Sequence, residues 1–163
     1  MPQEIRILPI RELKGNDVSR HNPYAYTKYP VCGFDPELGD AVPQCQISVY
    51  DIPPLCSNYP YHYHENSTEI FYILEGRGVL ETSTGNHPVT AGDFIVMPPG
   101  EKGAHLLRNA SFSVTLRYLD FDTVARTDEV YYPRSAKKGI IYRDGRPNEF
   151  LRDGKPVDYY DGE

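Results

Sequence analysis

The central part of the chain is written in short alternating runs. QISVYD at 46–51, YHYH at 61–64, EIFYIL at 69–74, GVLETS at 78–83, DFIVMP at 93–98, AHLLRN at 104–109 and SVTLRYLDF at 113–121 all carry β-branched or aromatic residues, and turn formers separate them. Short strands at this spacing predict an antiparallel sandwich or barrel. Gly76-Arg77-Gly78 and Thr84-Gly85-Asn86 read as hairpin tips, and Pro98-Pro99-Gly100 as a tight turn after a strand. No part of 46–121 keeps a 3.6-residue period over ten positions, so an all-β core is expected.

The flanks lack this pattern. Residues 1–45 carry Pro2, Pro9, Pro23, Pro30, Pro36 and Pro43, too many for long helices. They are predicted to form an irregular arm packed on the barrel, with a short strand at Ile5–Leu8 and one helical turn at Ile10–Leu13. Residues 122–163 are polar and rich in Tyr, Asp, Gly and Pro, with turns at Arg143-Asp144-Gly145 and Arg152-Asp153-Gly154. A structureless tail of this length is uncommon in a compact domain. It is therefore expected to wrap the body, held by its tyrosines. The expected organisation is one domain in three parts: arm 1–45, barrel core 46–121 and tail 122–163.

Composition narrows the function. A chain of 163 residues suits one domain with a core that needs no disulfide staples. Net charge is −6, and no stripe of Lys or Arg accompanies it, which argues against nucleic acid as a partner. Apolar runs such as IFYIL at 70–74 are too short to cross a bilayer, and MPQEIRILPIREL has no signal-peptide core. The three cysteines, Cys32, Cys45 and Cys56, are odd in number and form no C-x-x-C unit, so reduced thiols are expected. These features point to a cytoplasmic protein with no membrane association.

The chemistry lies in HYHENSTE, residues 62–69. On a strand, positions i and i+2 face the same way, so the imidazoles of His62 and His64 aim at one point. A hairpin after them would return the Glu69 carboxylate beside the pair. Two imidazoles and a carboxylate with open positions suit Fe, Mn, Ni, Co or Zn. His105, following the Pro98-x-Gly100 turn, is the fourth candidate. A lone histidine is more often a packed or surface residue than a ligand; the joint spacing reverses that preference here. His87 in GNHPV and His21 in SRHNPY lie outside the pattern and are not assigned to the metal.

These residues resemble the two motifs of the cupin superfamily. The first, G-x(5)-H-x-H-x(3,4)-E-x(6)-G, is matched by His62, His64, Glu69 and Gly76, with Cys56 in place of the first glycine. The second, G-x(5)-P-x-G-x(2)-H-x(3)-N, is matched by Gly92, Pro98, Gly100, His105 and Asn109, with two extra residues before His105. The ending DYYDGE at 158–163 is similar to that of small bacterial zinc-type cupins related to proteins encoded beside aromatic-polyketide genes. The resemblance implies a double-stranded β-helix, or jelly-roll barrel. It also implies one divalent metal ion (Zn, Fe, Mn or Ni) on His62, His64, Glu69 and His105, and a homodimer. Only one motif pair is present, so a two-domain storage cupin is excluded.

Other residues have plainer readings. If His62 and His64 face inward, Tyr61 and Tyr63 face outward and pack. Phe71 and Ile73 share the parity of Glu69 and should line the pocket. Asn109 is expected to support the His105 strand, while Glu81, Arg108 and Arg117 read as strand-surface charges. The expected function is a metal-dependent isomerase, cyclase or dioxygenase acting on a small carboxylate-, enol- or sugar-like molecule. The alternative is a non-catalytic small-ligand binding or sensing protein, because no catalytic triad or phosphate-cradling loop accompanies the ligand set.

Overall fold

The structure, a computed structural model, describes residues 7–33 and 44–163. Fourteen strands occur among them: β1 (Asn16–His21), β2 (Tyr24–Cys32), β3 (Cys45–Ile52), β4 (Tyr63–His64), β5 (Glu69–Glu75), β6 (Arg77–Thr82), β7 (Gly85–Thr90), β8 (Phe94–Met97), β9 (His105–Asn109), β10 (Leu116–Thr123), β11 (Thr127–Tyr132), β12 (Lys137–Tyr142), β13 (Glu149–Arg152) and β14 (Lys155–Pro156). They form a six-stranded sheet ordered β1-β2-β3-β10-β5-β8, a five-stranded sheet ordered β14-β13-β12-β11-β4, and a three-stranded sheet ordered β7-β6-β9. This is the expected all-β barrel, and no helix among the described residues is long and apolar enough to cross a membrane.

The barrel changes character along its axis. On β10 the inward row is Leu116, Tyr118, Asp120 and Asp122. Register places Leu116 beside Ile52, Tyr118 beside Tyr50 and Ile73, Asp120 beside Ser48 and Phe71, and Asp122 beside Gln46 and Glu69. One end is therefore a dry core of Ile52, Ile73, Leu107, Leu116 and stacked Tyr50 and Tyr118. The other end is polar. Buried polar groups need partners, so this end is where chemistry is expected.

Both flanks are more regular than their composition suggests. The N-terminal segment supplies β1 and β2, which extend the sheet through β3 rather than lying on it as an irregular arm. Its prolines do not prevent this. Pro30 still stands in register with Ser48 of β3, and the ladder shifts register between Pro30 and Cys32. Ile10–Glu12 form the expected helical turn, in 3-10 geometry. The strand expected at Ile5–Leu8 falls partly outside the described residues, and Ile7 and Leu8 are not in a strand. The C-terminal part forms β11–β14, most of the second sheet. Asp128 and Lys137 lie buried in its inward rows and break the apolar-in, polar-out alternation that would have shown these strands. Residues 85–90, expected to be a turn and its exit, pair along their length with β6 as β7.

Candidate metal centre

His62, Glu69 and His105 come together at the polar end of the barrel, and His64 reaches Glu69 but lies outside the close group that the other three form. A reciprocal backbone pair ties two of them: the His62 N–H donates to the His105 carbonyl at 3.0 Å, and the His105 N–H to the His62 carbonyl at 2.9 Å. His64 ends β4 and Glu69 begins β5, so the intervening loop returns the carboxylate as the spacing predicts. Glu69 Oε2 lies 3.4 Å from His105 Nε2, 3.7 Å from His64 Nε2 and 3.9 Å from His62 Nε2. Ligating atoms of His62, Glu69 and His105 all fall within 4.8 Å of one another. Phe71 closes the inner side, its ring 5.4 Å from that of His105.

The outer nitrogen of every ring is held. His62 Nδ1 donates to the Pro60 carbonyl at 2.8 Å, and His105 Nδ1 to the Gly103 carbonyl at 2.9 Å. His64 Nδ1 meets Asp128 Oδ2 at 2.6 Å. Carbonyl and carboxylate oxygens only accept, so each neutral ring carries its proton on Nδ1 and presents a bare Nε2 lone pair inward. Burial, reinforced by His105 and His64, pushes His62 well below the ordinary imidazole range. Burial likewise lowers His105 to about 4, against the opposing pull of the Gly103 carbonyl. Burial pushes the Glu69 carboxyl well up, and the nearby Asp122, Asp120 and Asp128 push the same way.

The two residues inserted before His105 have a clear consequence. Glu101–Gly103 form a 3-10 turn, and the carbonyl at its end, Gly103 O, is the acceptor for His105 Nδ1. A Cβ on Gly103 would collide with the Pro98 carbonyl oxygen, so the turn closes only with glycine there.

The donor set fits a divalent ion on two grounds. Glu69 Oε2 and His105 Nε2 are buried without a hydrogen-bond partner, an arrangement that native interiors avoid unless a ligand completes it. Donors bonded to a common ion at about 2.0–2.2 Å lie roughly 3–4 Å apart, which is the spacing seen around Glu69.

Sequence reasoning missed the groups around the four. Asp128, 0% exposed, accepts from His64 and from the Asn66 N–H at 3.0 Å. Burial works against its charge, yet the hydrogen bonds from His64, Ser67 and Asn66 hold its carboxyl below the usual range. A cavity of about 680 Å³ opens beside the centre, with Lys28, Asp120, Asp122, Tyr59, Tyr132 and Arg143 among its walls. Asp120 and Asp122 had a signal, since they continue the parity of Leu116 and Tyr118; Asp128 and Lys28 had none, lying in segments read as irregular.

The remaining readings fall into place. His87 is exposed. His21, also exposed, stands at the cavity rim against Tyr160. The Asn109 amide donates to the Ile52 and Val114 carbonyls and its oxygen accepts from the Ser111 N–H, a purely supporting role. Arg117 pairs with Asp51, and Glu81 with Arg134 and Arg108, away from the cavity. Tyr61 lies under Arg134 and Tyr63 stacks on Tyr131. All three cysteines are free thiols.

The motifs, the topology and the convergent donors define a cupin double-stranded β-helix, and residues 48–122 match the family described as Cupin domain. A stretch of 58 residues is 41% identical to an uncharacterised protein of Methanocaldococcus jannaschii; it makes up 36% of this chain and only 45% of that relative. Among solved structures, a sugar phosphate isomerase of the cupin superfamily from Silicibacter pomeroyi matches with a TM-score of 0.77 at 19% identity, covering 97% of this chain and 100% of that one. The polyketide cyclase RemF from Streptomyces resistomycificus matches with a TM-score of 0.59 at 21% identity, over 74% of this chain and 80% of its own. At these identities the likeness establishes the shared fold.

Proposed function

We infer that the protein binds one divalent metal ion (Zn, Fe, Mn or Ni) through His62, His64, Glu69 and His105 and acts as an enzyme on a small organic molecule held in the adjoining cavity. One observation carries this reading. Three imidazoles, each with its outer nitrogen tied to an acceptor, direct bare Nε2 atoms at a buried carboxylate oxygen that has no partner. Lone pairs and a carboxylate facing one another repel, and a cation between them removes the repulsion. When bound, the ion supplies Lewis-acid polarisation of a carbonyl or hydroxyl oxygen. The chain's own residues then orient the rings, keep His62 and His105 neutral by burial and present a mixed aromatic and polar wall to the ligand. A carboxylate-, enol- or sugar-like substrate suits this wall, and the fold shared with a sugar phosphate isomerase supports the sugar-like choice.

Turnover of a panel of sugar phosphates and small enolisable acids by metal-loaded protein tests the reading. Wild type is expected to convert at least one member while His62→Ala does not. Equal rates in the two proteins, or tight binding with no product from any member, would refute an enzymatic role.

A homodimer is part of the same proposal. Phe94 and Val96 stand 71% and 62% exposed on β8, which among the described residues pairs only with β5 and ends the six-stranded sheet. Light scattering after gel filtration should give twice the chain mass, and Phe94→Lys/Val96→Lys should return the monomer.

A further inference from the structure

On the cavity wall, three ionisable groups keep hydrogen-bonding capacity that the described residues do not use, and burial pushes the Asp120 and Asp122 carboxyls up and the Lys28 ammonium down. Asp120 and Asp122 are 4% and 5% exposed, and Oδ1 of each has no hydrogen-bond partner among the described residues. Lys28 reaches the same cavity from β2, its ammonium 5.3 Å from the centre of the Tyr50 ring, and no described residue makes an ion pair or hydrogen bond with it. A carboxylate oxygen of Asp120, one of Asp122 and one of Glu69 all lie within 4.8 Å of one another, so this group adjoins the proposed metal centre. Leaving buried polar atoms unmet is costly, and a site that keeps several together is explained by a ligand that meets them.

The mixture of signs selects that ligand. A second metal ion or an organic amine would satisfy the two aspartates but would face the Lys28 ammonium. A phosphate or carboxylate would satisfy Lys28 but would face Asp120 and Asp122. A hydroxyl does both, since it donates one hydrogen and accepts through two lone pairs. Successive hydroxyls on a carbon chain would donate to Asp120 and Asp122 and accept from Lys28. Tyr59 and Tyr132, also in the wall, offer aromatic faces to the C–H side of such a chain. Arg143, whose Nη1 donates to Gln46 Oε1 at 2.6 Å, lies on the same wall.

We propose that Lys28, Asp120 and Asp122 form a polyol-binding subsite beside the metal centre, and that the ligand is an open-chain sugar derivative presenting vicinal hydroxyls to it. This rests on the small-molecule reading of the cavity above, and it adds the substrate class and the residues that recognise it.

The test uses zinc-loaded full-length protein, with glucitol 6-phosphate and ribitol 5-phosphate as probes and inorganic phosphate as the probe without a hydroxyl chain. Binding is read by calorimetry and metal content by elemental analysis of the same samples. Wild type should bind at least one polyol phosphate at least tenfold more tightly than inorganic phosphate. Asp122→Asn and Lys28→Gln should each weaken the polyol about tenfold to a hundredfold, the size expected for a hydrogen bond to a charged group. Zinc stoichiometry and inorganic phosphate affinity should not change in either. The polyol-to-phosphate preference of wild type stands as a test even where a variant fails to fold. No such preference, or variants that bind polyol like wild type, would overturn the subsite while a full zinc complement left the metal centre standing. A Lys28-dependent polyol preference in protein that takes up no zinc would sustain the subsite and remove the metal reading.

Discussion

Replacing Asp128 with Asn removes one charge and preserves the shape. Asp128 accepts from His64 Nδ1 at 2.6 Å and from the Asn66 N–H at 3.0 Å, with Ser67 as a further donor. An asparagine oxygen can serve only one of the first two donors. Its amide NH₂ then faces the other, donor against donor, at a position that is 0% exposed. His64 therefore either loses its fixed proton on Nδ1 or turns. Partners of this kind, one step behind a metal-bound histidine, are worth about 10–100-fold in metal affinity, or roughly 1.4–2.7 kcal/mol at about 1.4 kcal/mol per tenfold. Competition between the protein and a chromophoric chelator for zinc measures this directly. Asp128→Asn should weaken binding by that factor, whereas His87→Ala, at an exposed position outside the site, should leave it unchanged. A folded Asp128→Asn protein that binds zinc within twofold of wild type would show that the His64–Asp128 contact does not position a ligand.

Three further outcomes follow from groups already described. The Lys137 ammonium is fully enclosed and meets Glu163 Oε1 at 2.8 Å and the Tyr159 and Asp161 carbonyls, so Lys137→Met should cost about 3–5 kcal/mol in urea unfolding; Lys137→Met/Glu163→Leu should recover most of it, and a single-variant loss under 1 kcal/mol would contradict the buried pair. His105 is 1% exposed and titrates at about 4 in the fold against about 6.5 when unfolded. The unfolded chain then binds more protons between those values, so the His105 contribution is whole above about 6.5 and falls as pH drops towards 4, by about 3 kcal/mol at about 1.4 kcal/mol per pH unit. In chelator, the stability difference between wild type and His105→Gln should shift by that amount between pH 7 and pH 4, and a pH-independent difference would contradict the neutral buried ring. Gly103→Ala should lower stability by about 1–3 kcal/mol through its clash with the Pro98 carbonyl and should weaken zinc binding as Gly103 O moves from His105; unchanged zinc affinity would separate the turn from the ligand it supports.

How much the sequence disclosed follows from how locally each feature is encoded. His62 and His64 are two apart on an extended segment and Glu69 follows one loop later, so period-two geometry and a short turn bring them together. His105 was reached through its motif, and the register between the His62 and His105 backbones shows why it arrives. The inward row of β10 was half legible: Leu116 and Tyr118 gave the parity, but the two aspartates that continue it look like surface charges in any single-strand reading. β2, β11 and β12 were hidden for a related reason. They carry Lys28, Asp128 and Lys137 on the cavity or core side, and a strand with a charge there has lost the alternation that marks it. The parts that escaped are thus the parts that build the cavity, because a polar cavity requires polar residues where a core would have apolar ones.

The most direct test of the central claim is an anomalous-scattering map from crystals of the protein grown with zinc and collected at the zinc edge. The account predicts one strong peak within bonding distance of Nε2 of His62, His64 and His105 and of a Glu69 carboxylate oxygen. A map with no peak there, or a peak held by Asp120 and Asp122 while the three imidazoles stay unbound, would contradict it.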